Sequence, residues 1–368
     1  MIKTTNALRG TITALALTVG LFVNPILAQE HQDEHHADSH ESHGEASHDN
    51  EDEAFNATEV IMHHIADSHE WHILDYTNDA GEEVAVSVPL PVILLTDGNL
   101  DVFLSSGFHH GESTVVKGDR EYAIHHDHIT EVNGAKVMDF SITKNVASML
   151  FSAIIILLLF TAVARGYKKR NGMAPKGLQS FMEPIILFVR DDIAIPNIGE
   201  KKAMRYLPYL LTIFFFIWIN NLLGLIPFFP GGANLTGNIS FTVVMALLTF
   251  LITQFSGNKD HWKHVFATPG VPVWLSPIMI PVELIGLFAK PFALMVRLFA
   301  NITAGHIIIL SLISLIFIFK TVAIAPVAAA FVLFMNVLEL LVAALQAYIF
   351  TLLSALFIGS AVAEHEHH

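Results

Sequence analysis

The segment 281–306 constrains this chain most, because it is almost wholly apolar and yet carries charged side chains. At about 100° per residue on a helix, Glu283, Lys290 and Arg297 fall within roughly 40° of one another. Asn301 lies one turn beyond Arg297 on that face, whereas His306 points to roughly the opposite side. An arginine near the middle of a membrane helix costs at least about 2.5–3.5 kcal/mol, so it normally faces a partner or water and not lipid. The pattern therefore indicates either a fixed cation on an ion path or an interhelical ion pair that holds a bundle together.

Three motifs, in this order along the chain, resemble subunit a of F-type ATP synthases, the stator half of a rotary ion channel. They read NLLGLIP at 221–227, RLFANITAGH at 297–306 and ELLVAALQAYIFT at 339–351. The resemblance covers residues 146–358 and leaves the preceding segment uncovered. It implies an all-α polytopic membrane protein in which two long helices form a slanted hairpin against a ring of c subunits.

The resemblance also implies two aqueous half-channels and a role for each polar residue of the motifs. Arg297 is the essential channel cation that an ionised c-subunit carboxylate passes, and guanidinium suits this role because it stays charged even when poorly solvated. His306 and Glu339 are the protonatable pair, arranged as in the mitochondrial type. The other residues on the implied proton path are Gln346, Asn301, Glu283, Asn221 and Asn336. For Asn221, an interhelical hydrogen bond is as reasonable as a channel role.

The implied partners are those of a hetero-oligomer in a bacterial inner membrane. They are the c ring, a b-type peripheral stalk, the soluble ATP synthase head and membrane lipid. No glycine in the chain is directly followed by lysine, so the phosphate-cradling G-K-[ST] motif is absent. We therefore expect a subunit that moves ions, binds no cofactor and leaves ATP chemistry to its partners.

The composition divides the chain into an acidic and a mildly basic part. The sequence is 53% hydrophobic and 15% charged, which is too apolar for an ordinary soluble protein. Residues 29–145 hold 4 Lys/Arg and 25 Asp/Glu, a net charge of −21, and the rest carries +7. The sequence has no basic patch that would indicate a nucleic-acid partner. It also has no cysteine, which excludes disulfide and thiol chemistry.

The first 53 residues read as two short segments ahead of any folded domain. Residues 1–28 are typical of a signal peptide, with a positive start, a short apolar run and a plausible cleavage site. An uncleaved anchor is the alternative. Residues 29–53 favour a disordered acidic tail, although such tracts also bind metal ions weakly. The tail histidines that could do so are His31, His35, His36, His40, His43 and His48.

Residues 54–145 predict a small mixed α+β outer domain. We expect a helix over 54–69 and short strands at 73–76, 84–88, 92–95 and 102–104. Histidines at 63–64, 109–110, 125–126 and 128 are surface residues in this reading, with a metal site as the alternative. Because the resemblance starts only after this domain, we expect rotation not to require it.

In the membrane domain, residues 146–363, long apolar segments predict five membrane crossings, at 146–164, 206–226, 239–255, 281–319 and 322–358. A partly apolar helix at 177–195 is expected to lie on the membrane surface. Arg165, Lys168, Lys169 and Arg170 follow the first crossing, whereas the loop 227–237 has no Lys or Arg. By the positive-inside rule the first group is cytoplasmic, together with the tail 364–368, and the acidic domain is outside.

Two other functions fit parts of the pattern. A stand-alone transporter for a metal ion or another cation would use the His-rich tail as a scavenger, but such folds show internal repeats, and the sequence has no matching halves. A non-conducting scaffold would use Arg297 only to pair with Glu283 or Glu339.

Overall fold

The computed structural model describes residues 61, 65–77, 83–111, 113–125, 127–170, 172–226, 230–266, 273–319 and 324–363. The predicted signal peptide, His-rich tail and C-terminal tail lie outside these residues, as does most of the predicted helix 54–69. At the end of that helix the prediction is wrong, because 66–69 are not helical and a strand begins at Glu70.

The N-terminal part is a domain of short antiparallel strands. In chain order the strands are β1 (Glu70–Thr77), β2 (Glu83–Pro89), β3 (Pro91–Thr96), β4 (Asn99–Leu104), β5 (Val115–Lys117), β6 (Arg120–His125), β7 (His128–Glu131) and β8 (Val137–Asp139). They form the pair β1-β2 and two three-stranded sheets, β4-β3-β8 and β5-β6-β7. All four predicted strands are present, and β5 to β8 were not predicted.

The core of this sheet domain lies between the two three-stranded sheets. Along β3 every second residue is buried, as expected for a strand with one face on a core. Val92 and Leu94 of β3 pack with Phe108, Tyr122 and Ile129. The Tyr122 hydroxyl donates to Asp101 at 2.6 Å, which satisfies the polar end of a fully buried ring.

The rest of the described chain is helical. The helices are α1 (Lys144–Lys169), α2 (Leu178–Phe188), α3 (Ile195–Ile198), α4 (Glu200–Gly224), α5 (Ile239–Ser256), α6 (Lys259–Phe266), α7 (Ser276–Ile318) and α8 (Ala325–Val362). A π-helical turn, Val189–Ala194, joins α2 to α3. Among the described residues, five helices are long and apolar enough to cross a membrane, namely α1, α4, α5, α7 and α8. The polytopic all-α architecture predicted from the sequence is confirmed.

Helix α7 runs without a break through Pro281 and Pro291 for 43 residues. At 1.5 Å per residue it is about 64 Å long, roughly twice the thickness of the hydrocarbon core. A helix of this length fits in a bilayer only at a steep tilt. It packs beside α8, in agreement with the hairpin that the resemblance implied.

The C-terminal end of α8 is fixed to the bundle from several sides. Lys202 donates through Nζ to the carbonyl oxygen of Val362 at 2.8 Å. Asn258 donates its side-chain amide to the same oxygen and its backbone amide to Ala361. Gly359 lies so close to the carbonyl oxygen of Asn197 that a Cβ would overlap with it. These contacts satisfy carbonyls that a helix end otherwise leaves unpaired.

The sheet domain joins the helix bundle at the start of α1. Asp67 accepts hydrogen bonds from the Thr143 hydroxyl at 3.1 Å and the Asn145 backbone amide at 3.0 Å. Lys144 donates its backbone amide to Ser68 at 2.9 Å. Burial raises the pKa of Asp67, and these hydrogen bonds oppose the rise. The segment before β1 therefore serves as the N-terminal cap of the first membrane helix.

Candidate functional site

Arg297 lies on the outer face of α7 and is exposed. Within the part of the chain that the structure describes, it makes no hydrogen bond and no ion pair. Glu283, the partner that a scaffold role would need, instead contacts His264, with 3.9 Å between the carboxylate and Nδ1. The other partner considered, Glu339, is buried.

Small side chains surround Arg297 on its face of the helix. Ala293, Ala300 and Ala304 follow the same stripe at helical spacing, and all three are exposed. Small residues on a membrane helix allow another helix to approach closely. The neighbouring exposed residues of the hairpin are large and apolar, among them Phe292, Val296, Leu338, Leu341 and Leu345. The hairpin thus presents a charged, shallow strip within an apolar surface.

On the other side of the hairpin, Glu339 of α8 lies directly against α7. A Cβ at Gly305 would overlap with its carboxylate oxygen Oε1 and would lie 2.9 Å from its Cδ. Glu339 is 7% exposed, and Oε2 is buried without a hydrogen-bond partner among the described residues. A buried carboxylate with a free oxygen is costly unless it binds a proton or contacts water.

His306 follows Gly305 on the same helix and faces the end of α4. A Cβ at Gly224 would stand 3.7 Å from its Nε2 and 3.2 Å from the carbonyl oxygen of Ala233. Gly224 therefore lets α4, the histidine and the loop after α4 meet at one point. Gly305 thus receives the Glu339 carboxylate, and His306, the next residue along α7, faces Gly224 of α4.

Asn221 is a polar residue on α4, about one turn before Gly224. Its side-chain amide donates to the carbonyl oxygen of Ala343 on α8 at 3.3 Å, and its oxygen accepts from the Thr236 hydroxyl at 2.5 Å. Thr303 of α7 donates to the carbonyl oxygen of Gly237 at 3.2 Å. The loop 230–238 is therefore bonded to two of the helices that carry the predicted site.

The remaining predicted site residues are spread along the hairpin. Gln346 is buried, Asn336 is half-buried and Asn301 is exposed. Gly305 lies beside Glu339. Arg297 is eight residues before Gly305 on α7, and Gln346 is seven residues after Glu339 on α8. Because the two helices run in opposite directions, Arg297 and Gln346 lie at about the same level. The structure gives no hydrogen bond between these two side chains in its described residues.

A second polar group lies near the start of α7, at the other end of the bundle. Nε2 of His261 on α6 is 3.3 Å from Oε1 of Gln254. Burial, and then the nearby charges of Lys290 and His264, lower the pKa of His261. Beside Lys290 a cavity of about 20 Å³ opens between α5, α7 and α8, enough for one water molecule. It reaches Leu294, within one turn of Arg297.

Metal binding finds no support in the described residues. They hold no group of three His, Asp or Glu side chains that could bind a metal ion. The tail histidines, and the side chains at 63, 64, 109, 110 and 126, lie outside what the structure describes. The interpretation of the tail stays a prediction.

A family model described as ATP synthase A chain matches residues 146–359, more than half of the chain. The chain belongs to this family. Subunit a of Chloroherpeton thalassium ATP synthase is 53% identical over 241 residues, which cover 64% of this chain and 70% of that protein. Subunit a of Anaeromyxobacter sp. is 50% identical over 258 residues (66% and 61%), and that of Myxococcus xanthus is 46% identical over 237 residues (63% and 76%).

Membership in the ATP synthase A chain family agrees with the resemblance of the three motifs. A second model, described as a domain of unknown function (DUF8433), matches residues 60–149, which include the sheet domain. Membership in the ATP synthase A chain family therefore does not assign a function to the sheet domain.

Sequence reasoning missed the glycines and the loop that shape the site. Gly224 and Gly305 are contact points that allow polar side chains to approach, and both stand inside the motifs, at NLLGLIP and NITAGH. A glycine inside a membrane helix signals close packing, so this signal was available. Thr236 had no comparable signal, because its partner Asn221 is identified only by the fold.

Proposed function

We propose that this subunit a of an ATP synthase Fo sector supplies two half-channels and the fixed cation that couple proton flow to rotation of a c ring. The observation that carries the proposal is the position of Arg297. It is a charged side chain on an exposed apolar face of a membrane protein, without an intramolecular partner in the described chain. Such a charge needs a partner from outside the chain, and an ionised carboxylate on a neighbouring ring meets this need.

The small residues beside Arg297 support a ring as that partner. Ala293, Ala300 and Ala304 leave room for a moving helix to pass close to the guanidinium. A carboxylate that approaches Arg297 is favoured in its ionised form, because opposite charges attract strongly at low dielectric. The proton on the carboxylate is then released before the two groups meet. A fixed cation also keeps protons from passing directly between the two half-channels.

We assign the two half-channels to the two polar groups on either side of Arg297. Toward the sheet domain, Glu339 packs against Gly305 and His306 faces Gly224. Asn221 bonds to α8 and to the loop after α4, and we assign to these three residues the transfer of a proton or the holding of water. Toward the start of α7, Glu283 and Lys290 mark the second route, with a cavity that reaches one turn from Arg297. His306 is nine residues from Arg297 and Lys290 is seven, so each group starts about 10–14 Å away along the helix.

The orientation proposed from the sequence puts the sheet domain outside a bacterial inner membrane. Four cations, among them Arg165 and Arg170, lie at the far end of α1 from that domain, and such residues favour the cytoplasmic side. The Asn221–His306–Glu339 group then belongs to the outer half-channel. We further propose that the subunit binds no nucleotide and works with a b-type stalk and a soluble head.

The decisive experiment replaces Arg297 by Ala and measures ATP-driven acidification of inverted membrane vesicles. We expect the complex to assemble and pumping to be abolished. The matched control is Arg205→Ala, which removes an exposed arginine from the start of α4. Near-normal pumping by the Arg297 variant would contradict the proposal. Equal loss in both variants would also contradict it, because the effect would then not belong to Arg297.

A further inference from the structure

The sheet domain touches the helix bundle at a second place, the loop after α4. Trp71 of β1 is 5% exposed and donates its indole N–H to the carbonyl oxygen of Gly231 at 3.1 Å. This hydrogen bond is buried and joins two residues 160 positions apart in the chain. It ties the sheet domain to the loop 230–238, which connects α4 to α5.

The loop at this point is folded tightly against the end of α4. Gly232 donates its backbone amide to Leu223 at 3.2 Å. A Cβ at Gly231 would stand 2.7 Å from the carbonyl oxygen of the same Leu223 and would overlap with Ile226. Gly231 therefore has no room for a side chain, and its carbonyl oxygen is presented at a fixed position to Trp71.

From Gly231 the loop leads directly to the residues of the proposed outer half-channel. Ala233 contacts the point where Gly224 meets His306, and Thr236 donates to Asn221. Gly237 accepts from Thr303. Ala233, Asn234, Leu235 and Thr236 are all at most 6% exposed, so the loop is a packed lid over this end of the bundle and not a free connection.

We propose that the sheet domain is a clamp on this loop, and that Trp71 is a positioning residue for proton transfer at His306 and Glu339. The indole N–H fixes Gly231, the loop carries this constraint over seven residues to Gly237, and the loop contacts hold Asn221 and the neighbourhood of His306 in place. This departs from the expectation that rotation does not require the domain. The positioning role rests on the proposed function of His306 and Glu339, whereas the clamp itself does not.

The test uses the assembled ATP synthase and the substitution Trp71→Phe, which keeps an aromatic ring and removes the donor. Hydrogen exchange of the backbone amides at 230–238 reports the clamp. A typical hydrogen bond contributes about 1 kcal/mol, so we expect exchange there to rise by about fivefold, with α5 unchanged. Passive proton flux through Fo, divided by the amount of assembled complex, should fall.

The matched control is Tyr122→Phe in the same domain. It also removes one donor from a buried aromatic ring, but its partners, Asp101 and Thr96, lie within the sheet domain. We expect loop exchange and flux per complex to stay as in the unmodified protein. A purely structural role for Trp71 would lower the amount of complex but not the flux per complex or the proton concentration at half-maximal flux.

Three results would overturn the inference. Unchanged exchange at 230–238 in Trp71→Phe would refute the clamp, and so would equal loosening of the loop by Tyr122→Phe. A loosened loop with unchanged flux per complex would refute the positioning role. Failure of the proposed function is seen separately, because Arg297→Ala would then still pump while the exchange result for Trp71 stands. If the Trp71→Phe variant assembles poorly, hydrogen exchange measured on the assembled fraction still tests whether Trp71 holds the loop 230–238.

Discussion

The carboxylate of Glu339 lies against the backbone of Gly305, with no space for a Cβ between α7 and α8. This contact brings the acidic group of one helix next to the helix that carries both Arg297 and His306. It is the point at which the two arms of the hairpin share a polar neighbourhood.

Replacing Gly305 by Ala should therefore impair proton flux. In an ordinary helix interior, alanine is more favourable than glycine by about 1 kcal/mol. Here the added methyl group displaces the Glu339 carboxylate, and such overpacking typically costs about 1–3 kcal/mol. We expect a clear loss of passive flux per assembled complex in vesicles.

Gly286 on the same helix is the control for this substitution. A Cβ there would meet no atom within 4 Å. Gly286→Ala should keep the flux of the unmodified protein. If the two alanine variants behave alike, the contact between Gly305 and Glu339 does not matter for proton transfer.

His306 and Glu339 should be energetically coupled, since both adjoin Gly305. Glu339→Gln removes a titrating group and is expected to slow flux and to change its pH dependence. The double exchange His306→Glu with Glu339→His keeps one acid and one imidazole in the same neighbourhood. It should recover more flux than either single exchange.

The measurement for this pair is proton flux for the two single exchanges and the double exchange, analysed as a cycle. If the two sites were independent, the relative proton flux of the double variant would equal the product of the relative fluxes of the two single variants. That outcome would count against a shared proton path.

A separate prediction concerns the acid stability of the sheet domain. Asp139 is 2.8 Å from Nε2 of His69 and also accepts from the Ser141 backbone amide. Burial by itself raises the pKa of Asp139, but the hydrogen bonds from His69 and Ser141 hold it below its usual value. The ionised carboxylate therefore contributes stability above about pH 4, and this contribution is lost as the pH falls through the lowered pKa.

Limited proteolysis of the intact protein between pH 7 and pH 3 should show this loss as earlier cleavage within residues 65–139. Asp139→Asn should be cleaved faster already at neutral pH and should depend less on pH. Asp119→Asn changes an exposed carboxyl group in the turn between β5 and β6 and should match the unmodified protein. A pH dependence that Asp139→Asn leaves intact would refute the assignment.

Much of the fold could be predicted because membrane helices are recognisable in a sequence as long segments of apolar residues. The five crossings follow from hydropathy, and the length of α7 follows from the absence of a clear turn between 281 and 319, where only a kink at Pro291 was expected. Of the four strands that were missed, β5 (Val115–Lys117) and β8 (Val137–Asp139) are only three residues long and carry little alternation. The helix ending at 69 was wrong because Asp67 and Ser68 bond to the start of α1, which draws the chain out of helical geometry.

The candidate site was predictable in its charged residues and not in its contacts. A lone Arg297 in an apolar helix stands out in any sequence, and so do His306 and Glu339. That Gly305 receives the carboxylate of Glu339 depends on the register of two helices, which no local pattern specifies. The bond from Trp71 to Gly231 spans 160 residues and joins parts of the chain with no shared motif.

The fastening of the C-terminal end of α8 has a mechanical consequence. A stator must resist the sideways force of a rotor that turns against it, and a helix held only by lipid would give way. Lys202, Asn258 and Gly359 hold the last turn of α8 to the bundle. In the proposed function, torque received along the exposed hairpin would pass through these close-packed contacts. In the proposed function, the rigidity of the coupling then depends on these three residues at the end of α8 as well as on the polar residues at the middle of the hairpin.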